Sequence, residues 1–171
     1  MSDGLAVFAG AQARALPGDA YGLAVLAAME RAETRLWCSM FLFSLDPEGD
    51  TRHTVRQLAD ALIRAHLRRV DVRLLLQRFV VAPDGFDANE ATAVFLARRG
   101  VPVRRYGAPG GRASHGKTLV VDETAVIVGS GNFTPGAMDR NVELALEVRS
   151  ADLNRDLAAR FAAGWDAAEA I

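Results

Sequence analysis

The chain has 171 residues, half of them hydrophobic, and a formal net charge of −1, which predicts one globular domain over residues 1–171 and argues against a uniformly basic nucleic-acid binder. Its single cysteine, Cys38, excludes an internal disulfide and a cysteine-based zinc cluster. The N-terminus has no signal-peptide pattern, and the longest uncharged apolar run, ten residues from Leu36, is half of the roughly 20 that a spanning helix needs, so we expect a cytoplasmic protein without a membrane anchor.

Helix-like and strand-like segments alternate along the chain. Apolar residues recur at helical spacing in three segments of its first hundred residues, and a strand-like segment follows each of them. The first of these strands, 34–44, is predicted to be buried on both faces. The predicted elements are helices over 21–33, 51–69, 87–100 and 151–168, and strands over 34–44, 70–77, 101–107, 115–121, 125–129 and 141–148. This order predicts an α/β domain, with helices on both faces of a mixed β-sheet.

Basic residues are concentrated between Glu90 and Asp122, an interval without any acidic residue. Such a distribution can create a local positive field for an anionic substrate on a neutral protein, although a solvated helix end followed by an edge strand explains it equally well. We take three arginines in this interval as candidate substrate contacts: Arg104, Arg105 and Arg112. The glycine-rich loop 107–114 is either a mobile lid or a tightly turned entry to the strand that follows.

The segment 114–133, SHGKTLVVDETAVIVGSGNF, predicts a β-hairpin that carries polar side chains at its open end. If residues 123 and 124 form the turn, residue i faces residue 247 minus i, and alternate side chains share one face of the hairpin. Glu-Thr is not a favoured two-residue turn, so a shift of the register by one or two residues remains open. The predicted facing pairs are His115 with Asn132 and Lys117 with Ser130.

This set of side chains suits a phosphate group. A neutral imidazole can attack phosphorus, while ammonium and amide donors stabilise the charge on the other phosphate oxygens. Lys117 is the only lysine in the chain, and its compact ammonium group fits where arginine would impose a wide planar fork. The alternative is a chance placement of a rare residue.

The same residues resemble a known signature. His115-Gly-Lys117, then four residues to Asp122, then six to Gly129-Ser130-Gly-Asn132, resembles the HKD motif of the phospholipase D superfamily in every spaced position. The Asn141-Val-Glu143 strand and the FAAGW stretch at 161–165 are similar to further family segments, so the resemblance covers nearly the whole chain. It implies a phospholipase D-like fold.

The resemblance also implies roles for these residues. His115 is then the nucleophile that forms a phosphohistidine, in a reaction that needs no metal or cofactor, with Lys117 and Asn132 holding the phosphate and Ser130 supporting them. Glu143 would bind the other ring nitrogen of the histidine, unless it is merely an exposed strand carboxylate. The other motif positions are Asp122 and Gly129, which we interpret as structural, and Asn141, for which a direct role stays open.

This chemistry needs a second histidine to protonate the leaving oxygen, and the chain has only one H-x-K sequence. His66-Leu67-Arg68 lies in a helical pattern and no G-S-x-N follows it, while His53 lies near a helix start, where a capping role is expected. The second His115 must therefore come from another protomer, which predicts a homodimer with one composite active site on its two-fold axis.

Two features favour nucleic acid as the substrate. Short, single-motif members of the superfamily are typically endonucleases, and cationic side chains supply non-specific affinity for a polyanionic backbone. We therefore expect a nuclease that acts on DNA or RNA. The alternatives are an enzyme for phospholipids or other small phosphodiesters, although the sequence contains no amphipathic anchor, and a non-catalytic nucleic-acid-binding partner in a larger complex.

Overall fold

The computed structural model describes residues 8–79, 87–107 and 113–171. Within these ranges the chain forms five helices and a single sheet of eight strands. The strands are β1 (Gln12–Pro17), β2 (Arg35–Met40), β3 (Asp71–Gln77), β4 (Val103–Tyr106), β5 (Lys117–Val121), β6 (Ala125–Gly129), β7 (Leu144–Arg149) and β8 (Glu169–Ala170). The helices are α1 (Gly18–Arg31), α2 (Thr54–Leu67), α3 (Glu90–Ala97), α4 (Pro135–Asp139) and α5 (Ala151–Asp166).

The sheet is mixed, with the strand order β1-β7-β6-β5-β2-β3-β4-β8. Strands β2, β3 and β4 run parallel, connected by α2 and α3, and every other neighbouring pair is antiparallel. Strand β5, which carries the predicted site, lies beside β2 at the centre of the sheet, where parallel and antiparallel pairing meet. The expected mixed sheet is confirmed.

The helices divide between the two faces of the sheet. On one face, α1, α2 and α3 build the main core, in which Val25, Leu58 and Leu96 are fully buried. On the other face, Phe161 and Trp165 of α5 pack in one cluster with Leu75, and Phe161 stacks on Trp37 with 5.2 Å between ring centroids. The apolar residues of the predicted last helix therefore face the sheet, and the expected helices on both faces are confirmed.

Three short elements were not predicted: β1, α4 and β8. Strand β1 pairs with β7 over its whole length, from Gln12 with Arg149 to Pro17 with Leu144, yet five of its six residues are exposed. A strand so weakly buried shows no alternation of apolar and polar residues that would predict it. Its position in the sheet depends on backbone pairing with a segment more than a hundred residues away.

The register of the β5–β6 hairpin differs from the predicted one by one residue. Thr118 pairs with Val128 and Val121 with Ala125, so residues 122–124 form a three-residue turn. Asp122 makes this turn possible, because it adopts a left-handed conformation with φ of 48°, which aspartate tolerates better than most residues. Continuing the ladder places Lys117 beside Gly129, and the predicted facing of Lys117 with Ser130 is wrong.

The carboxylate of Asp122 ties this turn to the chain segment before β2. One oxygen accepts hydrogen bonds from the backbone amides of Glu33, Thr34 and Arg35, at 3.0, 2.8 and 3.2 Å, and from the Thr34 hydroxyl at 3.0 Å. Partial burial raises the pKa of Asp122, but these donors outweigh it and hold the pKa below its usual value. The side chain thus acts as a structural anchor.

Replacing Asp122 with asparagine is expected to destabilise the fold by about 1–2 kcal/mol near neutral pH, because the acceptor remains but its charge is lost. A depressed folded-state pKa contributes stability above the unfolded pKa of about 3.9, and that contribution is lost as pH falls through the folded value. The stability gap between wild type and Asp122→Asn should therefore narrow below about pH 4. Urea unfolding of both proteins near neutral pH and below about pH 4 measures the difference in stability. A difference that is constant with pH would contradict the role of the Asp122 carboxylate as an anchor.

Candidate functional site

His115 and Lys117 meet at the open end of the hairpin, just before and at the start of β5. The Nζ atom of Lys117 lies 3.1 Å from Nδ1 and 3.3 Å from Nε2 of His115, and it donates to the His115 carbonyl at 2.9 Å. The imidazole is exposed, whereas the lysine is only 7% exposed. Burial lowers the pKa of the Lys117 ammonium, while the nearby charge of Glu143 acts in the opposite direction. A cation is thus held directly against a solvent-facing imidazole.

Phe41, which the sequence analysis missed, contacts both of these residues. Its ring centroid lies 4.3 Å from that of His115 and 5.0 Å from the Lys117 ammonium, and the ring of Phe79 packs edge-on against its side at 5.0 Å. The Phe41 amide also donates to the carbonyl of Gly116 at 3.1 Å. The aromatic ring restricts the imidazole and attracts the cation, so Phe41 positions the pair.

Two buried amide side chains hold the backbone around this pair. Gln77 accepts from the amide of Ser114 at 2.6 Å, immediately before His115, and donates to the Arg78 carbonyl at 2.7 Å. Asn89, fully buried, donates to the carbonyls of Phe41 and Gln77 at 2.9 and 2.8 Å and accepts from the Phe43 amide at 2.8 Å. These hydrogen bonds fix the segments on both sides of the imidazole.

Asn132 lies on the segment that follows β6. Its side-chain oxygen accepts a hydrogen bond from the Leu42 amide at 3.2 Å, so the NH₂ end of the side chain points away from that backbone and is the end suited to a phosphate oxygen. The preceding residue, Gly131, is held by the Tyr21 hydroxyl, which donates to its carbonyl at 2.8 Å. A β-carbon at Gly131 would lie 2.4 Å from the Tyr21 ring, which explains the glycine there.

Ser130, Glu143 and Asn141 form a second cluster. The Ser130 hydroxyl donates to one carboxylate oxygen of Glu143, and the Asn141 amide donates to the other at 3.0 Å. Among the described residues Glu143 makes no hydrogen bond to His115, whose ring is contacted by Lys117 instead. The predicted orienting bond is therefore absent within the described part of one chain, where Ser130 and Asn141 are the donors to this carboxylate.

Two of the three predicted substrate arginines, Arg104 and Arg105, have partners outside this site. Arg104 donates to the Trp165 carbonyl at 2.7 Å and lies over its ring, and Arg105 is paired with Asp87 and Glu90. These tertiary contacts neutralise or occupy both guanidinium groups, so they give no support to a role in substrate contact. Arg112 lies outside the described residues, as does most of the loop 107–114.

Replacing Phe41 with leucine is expected to slow turnover about tenfold, because the imidazole and the ammonium lose an aromatic contact of about 1–2 kcal/mol. Phe41→Tyr keeps the ring and should stay near the wild-type rate. Phe79→Leu is the matched control, since Phe79 packs against Phe41, whereas Phe41 itself contacts His115. Cleavage rates at equal folded fraction measure the effect, and unchanged turnover in the leucine variant would contradict the positioning role.

The described ranges lack two further kinds of feature. No group of three or more histidine, cysteine, aspartate or glutamate side chains there is placed to hold a metal ion. The helices of the described ranges include none that is both long and apolar enough to cross a bilayer.

The chain is similar to known proteins both in sequence and in fold. A phospholipase D from Rickettsia felis is 32% identical over 108 residues, which are 63% of this chain and 48% of that protein, so the chain spans about half the length of this curated relative. The crystal structure of Nuc from Salmonella typhimurium, described as a phospholipase D family member, matches 95% of this chain and 97% of its own at a TM-score of 0.74 and 24% identity. NucT from Helicobacter pylori matches 94% of this chain and 99% of its own, at a TM-score of 0.71 and 12% identity.

A family model supplies the assignment. The model described as "Cardiolipin synthase, PLD-like domain" matches residues 25–165, a range that begins in α1, ends in α5 and contains every residue of the two polar clusters. The predicted phospholipase D-like fold is confirmed by the solved structures above. The chain belongs to the phospholipase D-like domain family.

Proposed function

We propose that this protein is a metal-independent phosphodiesterase that cleaves DNA or RNA through a phosphohistidine, with an active site completed by a second copy of the chain. The observation that carries the proposal is the contact between the Lys117 ammonium and the exposed His115 ring, at 3.1 Å from Nδ1. A nucleophile and a cation for the phosphate are thereby presented together at one solvent-facing position.

The reaction follows from these groups in two steps. A ring nitrogen of His115 attacks phosphorus, and the bond from phosphorus to the leaving oxygen breaks as that oxygen takes a proton from an acid. Water then attacks the phosphohistidine, the phosphorus–nitrogen bond breaks, and the water proton returns to the group that gave one up. Lys117 and the Asn132 amide stabilise the charge on the remaining phosphate oxygens in both steps.

The acid in this scheme is the His115 of the second copy. The chain has three histidines, and the other two serve the fold. His53 caps α2 by accepting from the Val55 amide and binds Asp139 at 2.8 Å, and His66 lies beside Gly100, where a β-carbon would be 3.1 Å from its ring. One chain therefore supplies one histidine to the site, and full activity of a monomer at assay concentration would contradict the scheme.

Nucleic acid is the substrate that we favour. The resemblance implies that short, single-motif members of the superfamily are typically endonucleases, and the match to Nuc and NucT extends over nearly all of those chains. A phospholipid is the second candidate, because the family model is described by cardiolipin synthase and the Rickettsia relative is named a phospholipase D.

The test is cleavage of labelled single- and double-stranded DNA and RNA in EDTA, beside release of the headgroup from phospholipid vesicles. His115→Ala, purified in parallel, reports any contaminating nuclease. Cleavage of one nucleic acid by wild type alone is the expected result and identifies the substrate. Vesicle turnover without nucleic-acid cleavage would replace the nuclease with the phospholipid enzyme. Salt-sensitive nucleic-acid binding that His115→Ala retains, with no cleavage of either substrate, would replace it with a binding protein.

A further inference from the structure

Strand β7 has an unusual distribution of polar and apolar side chains. Side chains alternate between the faces of a strand, and on the face covered by α1 the strand carries Glu147, which is 6% exposed and paired with Arg14. On the opposite face, Leu144 and Leu146 are 60% and 42% exposed. The strand thus buries a carboxylate on one face and exposes two leucines on the other, which is the reverse of the usual pattern for a sheet with one face in water.

The exposed leucines belong to a larger apolar area. Helix α5 covers the far end of this face, where Val148, Val126 and Val120 are buried, but its contacts do not extend to the end of β7 that lies near the site. In the described ranges of the chain no other element covers that end. We call the uncovered area the β7 patch; it comprises Ala15, Val128, Val142, Leu144 and Leu146.

The β7 patch adjoins the candidate site directly. The Ser130 amide donates to the Leu144 carbonyl at 3.0 Å, and the Leu144 amide donates to the Ser130 hydroxyl at 3.2 Å. Glu143, which accepts from the same hydroxyl, precedes Leu144 in the chain. A protein bound to the patch would therefore lie next to the candidate site.

We infer that the β7 patch is the surface on which a second copy of this chain docks, so that its His115 reaches the site from that side. The inference rests on the proposed function, since a site with a single histidine is incomplete without the second copy. It is also favoured by charge. An isologous contact places a surface against itself, so like charges would repel, and the patch is uncharged. The charged residues of β1 and β7 lie on the other face, where Arg14 and Arg149 both pair with Glu147.

The test is the mass of the protein in solution, measured by light scattering and sedimentation over a range of concentrations. The patch variant is Leu144→Arg combined with Leu146→Arg. Leu23→Arg is the matched control, because Leu23 is 65% exposed on α1. Wild type and the control are expected to be dimers. The patch variant should fall to half that mass, the 18.3 kDa of one chain, with a circular dichroism spectrum of a folded chain and at least about a 100-fold loss of turnover. Its melting temperature should be lower than that of wild type and independent of concentration, because association no longer stabilises it.

Two results would overturn the inference. The first is a patch variant that remains a dimer, which would leave the proposed function standing with an interface elsewhere. The second is a monomeric wild type. A dimer that dissociates as expected, in a protein that cleaves no nucleic acid, would support the patch and remove only the nuclease.

Discussion

Replacing Lys117 with arginine is expected to lower turnover by about 100- to 1,000-fold, although the positive charge is kept. The Lys117 side chain is buried against Phe41, and its ammonium reaches both the ring and the carbonyl of His115. A planar guanidinium group is wider and carries its donors in a fixed fork. It cannot occupy that space without displacing the imidazole, so the cation would be present but the nucleophile misplaced.

The rates should be measured with Lys117→Arg, Lys117→Met and Arg104→Lys under identical conditions. The methionine variant keeps an unbranched side chain, shorter by one atom, and removes its charge, and it should be as inactive as the arginine variant. Arg104→Lys makes the reverse exchange at a position away from the site and should leave turnover unchanged. All three should retain the dimer. Near-normal turnover in Lys117→Arg would show that charge alone suffices and that the shape of the ammonium is unimportant.

The fold could be predicted where its signal is local. Helices α2 and α5 bury an apolar stripe, and β3 contains the apolar run 74–76, so the local pattern identified all three. Strands β1 and β8 carry no such signal. They are held by hydrogen bonds to β7 and to β4, and the sequence of an exposed edge strand does not indicate which partner it pairs with.

The candidate site divides in the same way. The motif predicted that His115 and Lys117 lie together, because two residues of alternation on one strand bring them to one face. The supporting residues come from distant segments. Phe41 and Asn89 are brought to the site by the packing of β2 and α3, which the motif does not include. The substrate role predicted for Arg105 lacks support for the same reason. No acidic residue lies near it in its own segment, but it forms an ion pair with Asp87 in the fold.

Replacing Gly129 with alanine is expected to lower the free energy of unfolding by about 2–3 kcal/mol or more, the cost of overpacking a well-packed position. A β-carbon on Gly129 would lie 2.5 Å from the β-carbon of Ala145, and 2.8 Å from both the Ala145 α-carbon and the Leu144 carbonyl oxygen. Two of these three atoms are backbone, so strands β6 and β7 must separate. The motif glycine is therefore required by strand packing, and Ser130 and Asn132, which follow it, would move.

Denaturant unfolding and turnover of three variants separate this cause from a general intolerance of alanine. Gly136→Ala is the matched control, because its nearest neighbours would be 3.8 Å away and it lies in α4; it should be neutral or slightly stabilising. Gly129→Ala combined with Ala145→Gly removes the closest contact and leaves the two backbone contacts, so it should recover stability only in part. If Gly129→Ala alone were as stable as Gly136→Ala, close strand packing would not be the reason for glycine at this motif position, and a role in the reaction would have to explain it.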